Sequence, residues 1–235
     1  MKTSFYIRAA YRAFLSPAKP QASYSQYGED LLIKLALPEP KAKGFYVDVG
    51  CHHPRRGSNT YGLYRRGWRG LLIDLEEMKV LACRLRRRRD TAVVAAVSDR
   101  EQDVSIYSPG EFSTNATINL SSVADPRGYR PIGRIHTTTL THLLTAHQVP
   151  RDFELLSVDV EGADHEVIKG LDFERYRPRV ICVENWESVR GIEAVLTSAI
   201  HRLLADNRYS LTGWAGLSTI YKKQNEETEE FGSAS

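Results

Sequence analysis

The sequence predicts an α/β domain with a mostly parallel sheet and helices on both of its faces. Three observations carry that prediction. Short apolar, β-branched or aromatic runs alternate with helical stretches from Phe45 onward, as strands joined by crossover helices do. The runs carry acids at or just past their ends, at Asp48, Asp74, Asp159 and Glu184, where ligands of such sheets sit. The first run, bounded by Gly44 and Pro54, turns at Gly50, which lets the backbone bend sharply and approach a ligand closely.

Residues 1–24 read as a basic extension. Lys2, Arg8, Arg12 and Lys19 meet no acidic side chain there, and Ile7, Tyr11, Phe14 and Leu15 fall on one helical face. Such a helix packs on a domain surface or makes peripheral membrane contact through residues 1–22. Residues 25–224 form the main domain. Ser25-Gln26-Tyr27-Gly28-Glu29-Asp30 leads into a helix over Leu31–Leu37, with Ser25 or Asp30 as cap, stopped by Pro38 and Pro40. Phe45, Tyr46, Val47 and Val49 then write a buried strand that Asp48 interrupts. An unpaired carboxylate costs several kcal/mol to bury, so Asp48 needs a partner. A helix over Asn59–Arg66 follows, and a second strand, Gly70–Asp74, ends in the acid that receives ribose hydroxyls in nucleotide-binding folds.

Glu76–Arg89 reads as a helix whose final Arg86-Arg87-Arg88-Arg89 run is a solvated end, with anionic glycan or nucleic-acid contact as the alternative. Ala92–Val97 is a third strand, followed by Ser98 and Asp99, placed to meet a nucleoside base. Val104–Tyr107 is extended, and Ser108–Ile135, rich in Ser, Thr, Asn, Pro and Gly, is a lid or binding loop that selects the acceptor. Leu140–His147 is helical, Phe153–Val158 a strand ending Asp159-Val160-Glu161-Gly162, and Ala163–Leu171 a helix. Val180–Val183 is a strand running into Glu184, Glu187–Asp206 a helix, and Tyr209–Thr212 and Ser218–Tyr221 the last strands. Residues 225–235 read as a disordered acidic tail.

Composition narrows the class. With 42% hydrophobic and 26% charged residues the chain is globular, and no apolar run approaches the roughly 20 residues of a membrane span. A net charge of +3 is too small to name a partner. Cys51, Cys83 and Cys182 are odd in number and fall in regular elements, which favours a reducing, cytoplasmic setting. Cys51, His52 and His53 are adjacent, a poor geometry for joint metal ligation.

The chemistry follows from what surrounds the glycine turn. A pyrophosphate cofactor needs G-x-G-x-x-G, but Gly50 is followed by Cys51-His52-His53-Pro54-Arg55. S-Adenosylmethionine carries no phosphate and needs one glycine turn, an acid for its ribose and acidic or π-rich walls for its cations. That inventory is present. The motifs in combination resemble the FkbM-type methyltransferase family. They are Ser25–Asp30, Gly44–Gly50, Ser58-Asn59-Thr60, Gly67–Asp74, Val97-Ser98-Asp99 and Ser157–Asp164, with Gly170 and Val183-Glu184. The resemblance spans Ser25–Glu184. His53-Pro54 and Asp164 depart from the family's usual Asn-Gly-like pair and Glu.

The resemblance implies a class I methyltransferase fold: a Rossmann-like three-layer sandwich whose seven-stranded sheet has an antiparallel last strand. It implies methyl transfer from S-adenosylmethionine to a hydroxyl of a glycan or small natural product; the alternatives are an N-atom or, less favoured, a nucleic-acid acceptor, or a non-catalytic cofactor-binding scaffold of the same fold. Gln26, Asp30, Asp48, Gly50, Asn59, Thr60, Asp74, Ser98, Asp99 and Asp159 are then the expected cofactor contacts. The expected base is His165 or one of the acids Asp159, Glu161 and Glu184. Three carboxylates at neighbouring strand ends repel one another unless something offsets them. A divalent metal with oxygen ligands, a shared proton or the cofactor's own cations each do so. Otherwise, Asp159 and Glu161 cap the following helix.

Overall fold

The computed structural model describes residues 2–11, 22–37, 43–110, 116–123 and 125–224. Its main sheet has seven strands. They are β1 (Phe45–Val49), β2 (Arg69–Asp74), β3 (Thr91–Val94), β7 (Leu155–Val158), β8 (Val180–Glu184), β9 (Tyr209–Ala215) and β10 (Ser218–Lys223), in the order β3-β2-β1-β7-β8-β10-β9. Neighbours from β3 to β8 are parallel, and β10 runs antiparallel to both β8 and β9. This is the class I methyltransferase arrangement that the resemblance implied.

Strand alternation builds two cores. Val47, Val49, Leu71, Ile73, Leu156, Val158, Ile181 and Val183 face α5 (Leu140–Ala146), α6 (Asp164–Lys169) and α8 (Ala199–Asp206). Tyr46, Leu72, Leu155, Cys182 and Ile220 face α2 (Glu29–Ala36), α3 (Tyr61–Arg65) and α4 (Glu77–Arg86). Asp48 shares the parity of Tyr46, so it belongs to the second layer.

Several sequence expectations are corrected. The strand expected over Ala92–Val97 breaks at Ala95: β3 stays in the main sheet, whereas β4 (Ala96–Ser98) joins a three-stranded sheet in the order β4-β6-β5. Its partners β5 (Asp103–Ser108) and β6 (Arg130–Thr139) form an antiparallel pair, so the last part of the expected loop is strand. The helix expected over Glu187–Asp206 is three pieces: a 3-10 turn at Trp186–Arg190, α7 (Ile192–Thr197) and α8. Gly191, at φ 101°, divides the first two, and the Ser198 hydroxyl caps α8 by accepting from His201 N–H at 3.1 Å. Helix α2 starts after Gly28, at φ 88°, and of the two expected caps Ser25 is the one that serves, its hydroxyl oxygen accepting from the first-turn N–H of Asp30 at 3.2 Å. Asp30 instead receives the hydroxyls of Ser23 and Ser25 and the N–H of Tyr24, at 2.6, 2.9 and 2.9 Å, which ties down the segment before the helix.

The amphipathic N-terminal helix is α1 (Lys2–Ala10), with Phe5, Tyr6 and Ile7 exposed; Phe14, Leu15 and the tail 225–235 lie outside the described residues. No described helix is long and apolar enough to cross a membrane.

The arginine run is only partly a solvated end. Arg86, Arg88 and Arg89 are exposed, but Arg87 is fully buried. Its guanidinium donates to Asp90 at 2.7 Å, and to the Tyr46 and Thr60 hydroxyls at 2.9 Å each. It also lies 5.3 Å and 5.4 Å from the Tyr46 and Tyr64 ring centres. Burial alone would make this arginine easier to neutralise, but Tyr46, Asp90 and Asp48 hold its proton more firmly than usual. A charge run in sequence shows no periodicity that marks which member turns inward.

Candidate active site

A cavity of about 520 Å³ opens at the carboxyl ends of β1, β2 and β7, a size that suits a small-molecule ligand. Its floor is the turn after β1. The N–H groups of Gly50 and Cys51 donate to Ile73 C=O at 2.8 and 3.1 Å, and Asp159 N–H donates to Val49 C=O at 2.9 Å, so three strand ends are stitched together. Gly50 sits at φ 82°, and a Cβ there would lie 1.6 Å from the Asp159 carbonyl oxygen. The close approach that demands glycine is therefore made by the chain itself, although Gly50 also lines the cavity.

Asp74 lines one wall. One of its oxygens accepts from His52 N–H at 2.9 Å and the other from Glu76 N–H at 3.0 Å. A carboxylate has about four lone-pair sites, so two N–H groups leave acceptor capacity for ligand hydroxyls. Val49, Ile73, Leu75 and Ala95–Val97 give flat apolar lining beside it, and Arg56 and Lys79 supply cations. Lys79 pairs with Glu76 at 2.6 Å and lies 4.0 Å from Asp74.

The opposite wall is acidic. Asp159 and Glu161 both line the cavity. Asp159 follows the buried strand β7 and is exposed where it lines the cavity. Burial pushes its carboxyl up to about 8, and the neighbouring acids Asp164, Glu161, Asp48 and Glu29 push in the same direction. Glu184, buried just behind, is pushed up to about 9 by burial and then by Asp159, Asp164 and Glu161, while Trp186 Nε1–H donates to it at 3.1 Å. Burial also raises Glu161, with Lys79 opposing. Glu161 has φ 55°, an uncommon conformation for a residue with a side chain.

No side chain caps α6 at its N-terminus, so neither Asp159 nor Glu161 plays the expected part, and Asp164, the first residue of the helix, braces the turn before it. Its carboxylate accepts from Val160 N–H at 3.0 Å and Gly162 N–H at 3.1 Å, holding the turn in place. Burial nevertheless carries Asp164 up to about 6.

The other expected site residues are placed unevenly. Gln26 lines the cavity, whereas Asp30 does not. Asp48 lies beneath the floor, accepting from the Thr60 hydroxyl at 2.5 Å; burial raises its carboxyl, and Arg87 and the Thr60 bond oppose that. Asn59 reaches the Ser157 hydroxyl at 3.1 Å in the same buried polar layer. Ser98 is buried with its carbonyl against Gly170, and Lys169 bonds Asp99 at 2.9 Å, holding that carboxyl below its usual range. The wall on that side is Ala95–Val97 instead. His165 sits 3.8 Å from Glu166 and outside the lining. Among the described residues no group of three or more His, Cys, Asp or Glu side chains is arranged to hold a metal ion.

Part of the expected binding loop covers the cavity, with Ala116 and Ile118 in its lining. The Thr117 hydroxyl donates to Glu161 C=O at 3.2 Å and the Asn119 amide to Gly162 C=O at 3.0 Å, so this segment clasps the acidic turn. Sequence reasoning missed His52, Arg56 and Lys79. The available signal for Lys79 was its place in the first turns of the helix that Asp74 opens.

The donor set fits S-adenosylmethionine. Asp74 retains acceptor capacity for ribose hydroxyls, the apolar wall suits a flat base, the acids suit its cationic groups and Arg56 suits its carboxylate.

A family model described as a methyltransferase FkbM domain matches residues 48–211. No curated protein matches the chain. Among solved structures, the TehB-like SAM-dependent methyltransferase from Corynebacterium glutamicum is 14% identical, with 94% of this chain and 97% of that one covered and a TM-score of 0.42. An O-methyltransferase from Bacillus cereus in complex with SAH is 12% identical, with 95% and 91% covered and a TM-score of 0.42.

Proposed function

The chain belongs to the FkbM methyltransferase family, and from that premise we propose that this S-adenosylmethionine-dependent methyltransferase methylates a hydroxyl oxygen of a glycan or small natural product. The observation that carries the reading is Asp159: a carboxyl in the cavity wall, raised to about 8 and therefore matched to taking a proton near neutral pH.

When bound, S-adenosylmethionine supplies a methyl group on a positively charged sulfur. An alcohol oxygen is a weak nucleophile until its proton leaves, and Asp159 is the cavity acid that accepts it. Burial, and after it the neighbouring acids Asp164 and Glu161, keep that proton affinity high. Ala116 and Ile118 add apolar surface to the cavity wall. Alignment of a bound acceptor supplies about 7 to 11 kcal/mol, whereas a base adds about 10² to 10⁴-fold, so the stitched floor contributes more than the base. Three free, buried cysteines fit a cytoplasmic setting, and exposed Phe5, Tyr6 and Ile7 beside Arg8 suit peripheral membrane contact.

Calorimetric titration with S-adenosylhomocysteine, followed by labelled-methyl transfer to alcohols, amines and nucleic acid, tests the proposal. Binding together with label on an ether oxygen is expected. Label on nitrogen, or binding without transfer to any acceptor, overturns the oxygen assignment.

A further inference from the structure

Three exposed aromatic residues are held around the tip of the β9–β10 hairpin, next to Gln26 of the cavity wall. Gln26 lines the cavity and its amide donates to the Tyr27 hydroxyl at 3.0 Å. The Tyr27 ring lies against Gly216, where an added Cβ would come within 2.2 Å of it. The Gly216 carbonyl accepts from Trp214 Nε1–H at 2.7 Å, so Tyr27 and Trp214 share the tip of the β9–β10 hairpin. The segment after β8 grips the same tip through Asn185 N–H, which donates to Leu217 C=O at 2.8 Å. Trp186 comes next, with its indole N–H on Glu184. Glu29 ties the arrangement from below, accepting from Tyr27 N–H at 2.7 Å and from the Ser218 hydroxyl at 3.5 Å.

Tyr27, Trp186 and Trp214 remain 52%, 47% and 37% exposed. An exposed Trp or Tyr ordinarily leaves its polar tip to water. Here each tip is engaged within the protein, which fixes the side chains and leaves mainly ring carbon to a ligand. Rigid aromatic rings give large contact area with little further ordering cost. Glu184, which holds the Trp186 indole N–H, and the cavity acids Asp159 and Glu161 supply polar partners for hydroxyl groups.

We infer that Tyr27, Trp186 and Trp214 form an acceptor platform that takes the C–H face of a pyranose ring, whose hydroxyl is then directed to Asp159. The inference rests on the oxygen-methylation reading and names its substrate class. Sugar C–H groups carry slight positive charge and pack on the negative faces of aromatic rings, while the equatorial hydroxyls remain at the rim for polar contacts.

The test uses the full chain with methyl pyranosides of the common hexoses and 6-deoxyhexoses, and with phenol as the planar aromatic control. Tryptophan fluorescence follows binding in the presence of S-adenosylhomocysteine, and labelled-methyl transfer gives KM and kcat. At least one pyranoside shifts the emission and accepts the label. Trp186→Ala and Trp214→Ala each raise its KM about tenfold, and Phe at either position restores most of the loss. The S-adenosylhomocysteine Kd stays within about twofold throughout. Unchanged KM in both Ala variants overturns the platform, as does transfer to phenol with no pyranoside bound or methylated. Failure of the wild-type chain to bind S-adenosylhomocysteine is read in its own titration and overturns the underlying reading with it.

Discussion

Two groups of acids flank the central strands, and the protein treats them oppositely. Asp48 and Asp90 are grouped with Arg87, which bonds Asp90 directly and reaches Asp48 through the Thr60 hydroxyl. Asp159 and Glu184 face a different environment: after burial, the strongest influences on each are other acids. The first group has a cation built into the core and is structural. The second holds protons or meets a cation from outside, and it adjoins the cavity. The missing internal counter-charge, rather than a place at a strand end, is what sets Asp159 apart as the proposed base.

The sharpest way to break this comparison is to neutralise one member of each group. Asp159→Asn should lower kcat by about 10² to 10⁴-fold while leaving the urea midpoint unchanged or higher, because it removes an acid from mutual repulsion. A kcat within threefold of wild type would remove Asp159 from the chemistry. Arg87→Met should do the reverse, costing about 3 to 5 kcal/mol of stability as Asp90 and Asp48 lose their counter-charge. A loss below about 1 kcal/mol in urea unfolding would show that the buried cation is not what supports them.

Gly50 joins the two groups, and Gly50→Ala should cost about 2 to 4 kcal/mol through its positive φ and the clash with the Asp159 carbonyl. Thermal unfolding measures this, and an unshifted Tm would mean that the two turns separate freely.

The response to pH tests the second group alone. Asp164, Asp159 and Glu184 hold protons up to about 6, 8 and 9 in the folded chain. The unfolded chain releases the same protons near its ordinary carboxylate values, so the folded state binds more protons between pH 4 and 9. Their contribution to stability is complete below the ordinary values and is lost as pH rises through the folded ones. Unfolding free energy should accordingly fall from pH 6 to 9, while kcat/KM rises through about pH 8 as Asp159 becomes a base. Parallel trends would count against assigning both to one carboxyl.

Much of the fold was legible because buried parallel strands are continuous apolar runs, and β1, β2, β7 and β8 fall where those runs do. The acids at their ends were legible for the same reason. Their orientation was not, because a strand's parity sends Asp48 under the floor while the turn residue Asp159 enters the cavity. Arg87 was hidden among identical neighbours whose local sequence is equally polar. The break at Ala95 transfers the chain to another sheet without a proline or glycine to mark it. Gly191 and Ser198, by contrast, did mark the breaks in the final helical stretch, yet the surrounding periodicity masked them.

The stitched floor and the clasp above it differ in stiffness. Opening the floor breaks bonds between neighbouring strands of the main sheet. Lifting residues 116–119 from the acidic turn forfeits two hydrogen bonds of about 0.5 to 1.5 kcal/mol each, while Thr117 stays paired to Tyr107. The clasp is therefore the weaker of the two attachments. A cover that opens this readily supports exchange of product for fresh substrate without unfolding, so traffic through the cavity need not disturb the geometry that performs the chemistry.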